Sequence, residues 1–485
     1  MKYAYGTPMK GLSKNLTRRF YAGRFFNQGT SGLGPSVLSS GSVTGKEIAG
    51  RVVCFPDLRP PKFCCGSGNI WCGDSFAISN SPHCMKNPIL RRAFIILTIA
   101  TAALTTAYAK TIRSWDLDRL YQAPKWEKTD LAPKDGVTAI LFDSIPFKGN
   151  RVQVFGYYGV PEGTMPKGGW PAVVCIHGGG GSAFENWVKK WNQNGFAAIS
   201  FDQEGHIPVK KDQGNKKSRA RKPTPNPGPR RIGGFDDYQE PMEDQWYHHA
   251  VAQTILAHSL ISSFPEINPA KTGFVGLSWG GTLASTVMGV DDRYQFGIAC
   301  YGSGFMPQNK HPKDKHRYIR EHFDGSLFFQ NVTYPTMWVN STNDFYTQMP
   351  ATQQSYRAVN GPVTIRFQHK MPHGHGPIIG NREVYVFAKS IVGKGAPLLE
   401  LGALTLENST ASVKCGPATK IKSAQLLYTL DAAGPWSKKE WVKADAIVSG
   451  STVSADIPEG AFAICFNVTD QSGLMVSSEF VQLGE

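Results

Sequence analysis

From residue 138 onward the chain alternates between two hydrophobic patterns. Thr138–Ser144 and Arg151–Tyr158 are strand-like and flank a turn at Lys148-Gly149-Asn150, which predicts an antiparallel edge hairpin. Short, uninterrupted apolar runs follow at Ala172–Ile176, Phe196–Phe201, Gly273–Leu277, Phe296–Tyr301, Thr336–Val339 and Val363–Phe367. Runs of this length without alternation suit parallel strands buried on both faces. Helical stretches separate them, at Asn186–Asn194, Gln245–Phe264, Gly280–Val290, Ala351–Val359 and Arg382–Val392. Together they predict a doubly wound, mostly parallel α/β sheet over residues 138–395.

Two stretches break the rhythm. Gly205 to Glu240 holds Lys210, Lys211, Lys216, Lys217, Arg219, Arg221, Lys222, Arg230 and Arg231, with Pro223, Pro225, Pro227 and Pro229, a composition from which no core is expected. Following a parallel strand, it should lie at the carboxyl edge of the sheet, where ligands bind. After Gly395-Ala396-Pro397 the runs Leu398–Leu406, Ala424–Thr429, Thr452–Ile457, Ala461–Val468 and Met475–Val481 predict a small antiparallel β-sandwich over 396–485. Cys415 and Cys465 suit either a bridge between its sheets or two buried thiols.

Charge changes the picture at the front of the chain. The net charge of +15 on 485 residues is unevenly spread. Residues 1–84 carry five Lys and five Arg against Glu47, Asp57 and Asp74, and also five of the nine cysteines, without sustained periodicity. From Met85, the cations Lys86, Arg91 and Arg92 lead into the apolar run Ala93–Ala109, which closes on Ala107-Tyr108-Ala109. These are the three parts of a secretory signal. The expectation is that Met85 is the true start, that 1–84 is upstream sequence, that 85–109 is a signal peptide, and that 110–137 forms an arm packed on the domain. A short membrane anchor is the alternative, but a run of this length lies near the lower limit for a span. No stable membrane insertion is expected after cleavage, and the product should be periplasmic or secreted.

The candidate chemistry is concentrated in four places. Gly276-Leu277-Ser278-Trp279-Gly280-Gly281 joins a buried strand to a helix, a context that demands small neighbours and lifts the serine Oγ above the sheet. Ile176-His177-Gly178-Gly179-Gly180-Gly181 ends an earlier strand, and its glycines let backbone amides approach a ligand. The amide of Trp279 and that of Gly179 or Gly180 are the expected oxyanion donors. His177 precedes the serine and is read as a structural hydrogen-bonding residue.

A serine needs a histidine to take its proton and an acid to orient that histidine. Asp344, in Asn340-Ser341-Thr342-Asn343-Asp344 after a strand, is the expected acid. Asp291 and Asp292 should instead cap or pair with Arg293, and Asp324 lacks strand context. Met371-Pro372-His373-Gly374-His375-Gly376 offers two bases. His373 is preferred because it follows the strand sooner, with His375 as the alternative and His369 weaker.

Other functions find less support. The basic loop has no interleaved aromatics for stacking nucleic acid. His248 and His249 are adjacent on a helix and face different directions, so no metal-ligand set emerges, and no cofactor is called for.

These residues resemble the α/β-hydrolase superfamily, in its dienelactone hydrolase, acetyl xylan esterase and prolyl-oligopeptidase-like branch. The resemblance covers residues 138–395 and rests on the Ser278 turn, the His177 glycine loop, Asn343-Asp344 and Pro372-His373-Gly374, in the order serine, acid, histidine. It implies Ser278 as nucleophile, Asp344 as acid and His373 as base. Gly228-Pro229-Arg230-Arg231, Gln245 to Ala250 and Tyr301 to Phe305 are similar to secreted bacterial acetyl xylan esterases, which implies an ester substrate and points to acylated polysaccharide. The chain departs from prolyl oligopeptidases in lacking their long N-terminal propeller. A serine peptidase is the runner-up, and a catalytically silent binding protein on the same scaffold is the rival from another class.

Overall fold

The computed structural model describes residues 114–209, 221–306, 311–416 and 421–483. The expected signal peptide, the segment before it and the cluster Lys210 to Arg219 lie outside the described residues.

Eleven strands and eight α-helices make up the first part. The strands are β1 (Trp126–Lys128), β2 (Thr138–Asp143), β3 (Gln153–Gly159), β4 (Trp170–Ile176), β5 (Ala197–Phe201), β6 (His206–Pro208), β7 (Arg221–Pro223), β8 (Ile267–Leu277), β9 (Phe296–Cys300), β10 (Thr336–Ser341) and β11 (Val363–Gln368). The helices are α1 (Leu117–Leu120), α2 (Glu185–Gln193), α3 (Trp246–Ser262), α4 (Trp279–Val290), α5 (Lys313–His322), α6 (Met349–Ala358), α7 (His375–Ile379) and α8 (Arg382–Ile391).

Nine strands form one sheet in the order β1-β2-β3-β5-β4-β8-β9-β10-β11. β1 to β3 are antiparallel to their neighbours, and β5 through β11 run parallel. This is the α/β-hydrolase fold, with β4 and β8 side by side where the chain reverses its direction of travel across the sheet. A crevice opens at such a point above the carboxyl ends of the strands.

The continuous apolar runs are explained by burial on both faces. Along β4, Val173 and Cys175 join a core with Trp187, Val188 and Trp191 of α2 and Val384, Phe387 and Ala388 of α8. Val174 and Ile176 join the opposite core with α3 and with Leu283, Ala284 and Val287 of α4. α3 is buried nearly along its whole length, which is why its sequence is apolar all round. α5, with the sequence KDKHRYIREH, went unpredicted because its only apolar side chains, Tyr318 and Ile319, are adjacent in sequence and the rest is charged or polar.

Two expectations need correction. The arm contributes more than packing: β1 extends the sheet by pairing with β2. The interrupting stretch does supply core, since Ile207 and Phe235 are buried and β6 pairs with β7. Proline and charge density concealed these two residues.

The second part contains β12 (Thr405–Glu407), β13 (Thr410–Lys414), β14 (Ile421–Thr429), β15 (Trp441–Asp445), β16 (Ile447–Ser449), β17 (Thr452–Asp456), β18 (Ala463–Asp470), β19 (Met475–Ser477) and β20 (Val481–Gln482). A four-stranded sheet, β12-β13-β17-β16, packs on a sheet built around β15-β14-β18-β19, with β20 also paired to β18. All these pairings are antiparallel. The expected strand Leu398–Leu406 is extended but mostly unpaired, and only its end enters β12. Cys415 and Cys465 are buried free thiols rather than a bridge.

Candidate active site

The carboxyl ends of β4, β8, β10 and β11 bring the candidate residues together. Ser278 follows β8 directly and caps α4 with φ 57° and ψ −118°, a strained conformation for a residue with a side chain. The turn is tight enough to explain its glycines. A Cβ on Gly276 would strike the Gly280 carbonyl and the Ala284 side chain, and one on Gly280 would strike the Ile176 carbonyl.

His373 reaches Ser278 from the loop after β11. Its Nε2 lies 2.9 Å from Ser278 Oγ, and its Nδ1 lies 2.6 Å from Asp344 Oδ2. Asp344 is buried after β10, and its other oxygen accepts from the amides of Tyr346 at 2.9 Å and Thr347 at 2.6 Å. With Oδ1 held by two amides, Oδ2 is aimed at the imidazole. Tyr301 packs on His373 with ring centroids 4.5 Å apart and donates to the Pro372 carbonyl at 2.8 Å, which holds the histidine loop from beneath. On the outer side Phe345 packs at 4.7 Å while remaining 69% exposed.

The contacts of the two histidines differ. His375 turns away from the serine, and its Nε2 accepts from the Gly178 amide at 3.2 Å. Its ring packs on Phe184 at 4.3 Å. Burial, together with the nearby His177 and His373, pushes its pKa down to about 3, so it stays neutral and able to accept. His369 bonds the Trp441 carbonyl at 2.8 Å instead.

The glycine loop divides its amides among different tasks. The Gly180 N–H donates to Glu204 Oε1 at 2.7 Å, and the Gly181 N–H to the Gly178 carbonyl at 2.9 Å. Gly180 is therefore corrected as an oxyanion donor, because its amide is already committed. Among the described residues, nothing accepts from the Gly179 amide. Trp279 opens α4, where a first-turn amide has no partner within the helix. A Cβ on Gly179 would collide with the edge of the Trp279 ring, so the two residues are packed against each other. His177 is fully buried, bonding the Gly178 carbonyl through Nδ1 at 2.7 Å and accepting from the Gln203 amide through Nε2 at 3.3 Å. It holds the base of the loop.

Sequence reasoning missed Glu204. It is a buried carboxylate three residues past the end of β5 at Phe201, and it binds Arg221 at 2.7 Å and Arg231 at 2.6 Å as well as Gly180. Burial raises its pKa, but the His177 imidazole, the Gly180 amide and the two guanidiniums outweigh that and hold it at about 2. Its position just past a central strand was the available signal. Through Glu204 the interrupting stretch is tied to the glycine loop, and Arg231 lies 5.8 Å from the Trp246 and Trp279 ring centres.

The acidic residues set aside from the sequence lie in other contacts. Asp291 pairs with Arg293 and His258, and Asp324 accepts from the amides of Phe305, Met306 and Ser326. His248 and His249 are buried with their ring centroids 6.3 Å apart. Among the described residues no group of His, Cys, Asp or Glu is placed to hold a metal ion, and no helix is long and apolar enough to cross a membrane.

No family model and no curated protein matches the chain. Among solved structures it is similar to an acetyl xylan esterase from Paenibacillus sp. R4, at 19% identity over 57% of this chain and 92% of that one, with a TM-score of 0.43. It is also similar to acetyl xylan esterase 1 from Thermoanaerobacterium sp. JW/SL YS485, at 15% identity over 59% and 93% of the two chains and a TM-score of 0.42. An acylaminoacyl peptidase from Pyrococcus horikoshii matches at 16% identity over 53% of this chain and 41% of its own, with a TM-score of 0.38.

Proposed function

We propose that this chain is an exported serine hydrolase that cleaves carboxylic esters, with acyl groups on carbohydrate as its substrate class. The observation that carries the reading is the unbroken contact from Asp344 through His373 to the strained Ser278, beside the unengaged Gly179 and Trp279 amides. His373 Nε2 takes the Oγ proton as the serine attacks the ester carbonyl, and the negative oxygen settles between the two amides. Collapse expels the alcohol, which leaves with the proton from His373, and the acyl group stays on Ser278. Water then repeats the sequence, attacking the acyl-enzyme with His373 as base and releasing the acid. Asp344 keeps Nδ1 protonated and stabilises the imidazolium formed in each half. The cationic start, apolar run and Ala-Tyr-Ala site within residues 86–109 support export.

A fluorophosphonate probe followed by acetylated sugars, feruloyl esters and prolyl amides tests the reading. Labelling at Ser278 with turnover of acetylated sugars is expected. Turnover of prolyl amides alone would favour the peptidase, and absence of both labelling and turnover would favour a silent binding protein.

A further inference from the structure

β11 is the edge strand of the large sheet, and its outer side is covered by the β-sandwich. The Phe367 amide donates to Ser477 Oγ at 2.8 Å, and the Phe367 carbonyl accepts from Asn467 Nδ2 at 3.1 Å. Beyond this seam the sandwich reaches the two loops that carry Asp344 and His373. Asn343 donates through Nδ2 to the Lys439 carbonyl at 2.7 Å. Its Oδ1 accepts from Thr342 Oγ1 at 2.8 Å, and that hydroxyl accepts from the Lys370 amide at 3.0 Å. One hydrogen-bonded path thus joins the acid loop, the base loop and the sandwich. His369 adds a second tie, to the Trp441 carbonyl.

The sandwich end of the path is itself fixed. Lys439 is buried, and its ammonium donates to the Asp431 carbonyl and, at 3.1 Å, to the Ala433 carbonyl. It also sits 4.6 Å from the Phe462 ring centre and 5.2 Å from that of Trp436. A lysine held at its head by two carbonyls and two rings cannot let its own carbonyl wander.

We infer that the 439–441 turn of the β-sandwich is a positioning element for the acid and base loops, setting the spacing between Asp344 and His373. This rests on the reading of Ser278, His373 and Asp344 as a working triad. Asn343 is the residue before Asp344, and Lys370 lies three residues before His373, so displacement of either loop passes directly into the relay. A misplacement of about 1 Å can cost about 10²-fold in rate.

The test measures kcat, KM, the rate of fluorophosphonate labelling and thermal stability in the full chain. Asn343→Ala is expected to lower kcat and the labelling rate together by about tenfold, with KM held within about twofold, because the groups that bind substrate are untouched. His369→Ala should act in the same direction, with His369→Gln, which keeps a donor, restoring most of the loss. Glu479→Gln loosens the seam elsewhere, at Arg357 and Gln353, and should leave kcat within about twofold. An unchanged kcat in Asn343→Ala would overturn the inference, as would an equal loss in Glu479→Gln, which would assign the effect to domain docking in general. If wild-type Ser278 does not label at all, the triad reading fails instead.

Discussion

Two histidines in this molecule stand between a carboxylate and a hydroxyl in nearly the same way. His373 lies 2.6 Å from Asp344 and 2.9 Å from Ser278; His258 lies 2.8 Å from Asp291 and 2.8 Å from Thr272 Oγ1. Their settings differ. Thr272 sits within β8, six residues before Ser278, with unstrained strand backbone, and His258 is sealed under Tyr294 at 3.8 Å. Burial pulls the His258 pKa down against the pull of Asp291, while Arg293 and His258 hold Asp291 at about 2 despite its burial. Two matching distances therefore do not make a nucleophile. A strained turn at the sheet's carboxyl edge, amides awaiting an oxyanion and access from solvent separate one constellation from the other.

The contrast can be broken most directly at the two hydroxyls. Ser278→Ala is expected to lower kcat on an ester by on the order of 10⁴ to 10⁶. Thr272→Val should leave kcat within about twofold while costing about 1–2 kcal/mol of stability, since it leaves a buried imidazole nitrogen unpaired. Turnover and denaturant titration of both variants decide the matter, and loss of activity in Thr272→Val would erase the distinction.

The histidines sharpen it. His373→Ala should cost about 10³- to 10⁴-fold in kcat. His375→Ala should cost only about tenfold, by releasing the Gly178 amide and loosening the loop that presents Gly179. A reversed order in the same assay would move the base from one residue to the other.

The smallest effect is thermodynamic. His375, His248 and His249 are buried neutral, with pKa values pushed down to about 3, 4 and 4 mainly by desolvation. The unfolded chain takes up protons at these histidines near pH 6.5 while the folded chain does not, so stability should fall as pH drops from about 6.5 toward 4. Glu204 and Asp291, both held at about 2, add a further loss below about pH 4.5 as the unfolded carboxyls protonate first. Urea denaturation at a series of pH values checks this, and a flat profile between pH 7 and 4.5 would contradict it.

Much of the fold was legible because parallel strands buried on both faces leave unbroken apolar runs. β4, β8 and β10 were placed to within a few residues at their carboxyl ends, where the chemistry lies. The Ser278 turn was legible for a steric reason: only glycine fits at positions 276 and 280. What stayed hidden depends on contacts distant in sequence. No local pattern says that Gly180 spends its amide on Glu204, or that Asn343 leans on a carbonyl nearly a hundred residues later. The polar helix α5 and the core residues Ile207 and Phe235 escaped for the complementary reason, since their apolar signal is one or two residues deep.

β4 and β8 are hydrogen-bonded neighbours, with Ile176 in register with Gly276. His177 opens the glycine loop one residue after the first and Ser278 comes two residues after the second, so the spacing between the serine and the loop amides is inherited from a rung of the ladder. The stretch between β5 and α3 is tied to that rung through Glu204, Arg221 and Arg231, whereas rim loops without such a tie can lengthen, shorten or change charge without disturbing it. On the proposed reading, substrate range and bond-breaking chemistry are therefore only partly separable traits. On that reading, variation in the untied rim loops should retune what is hydrolysed before it affects whether hydrolysis occurs, and variation at Glu204, Arg221 or Arg231 should touch both.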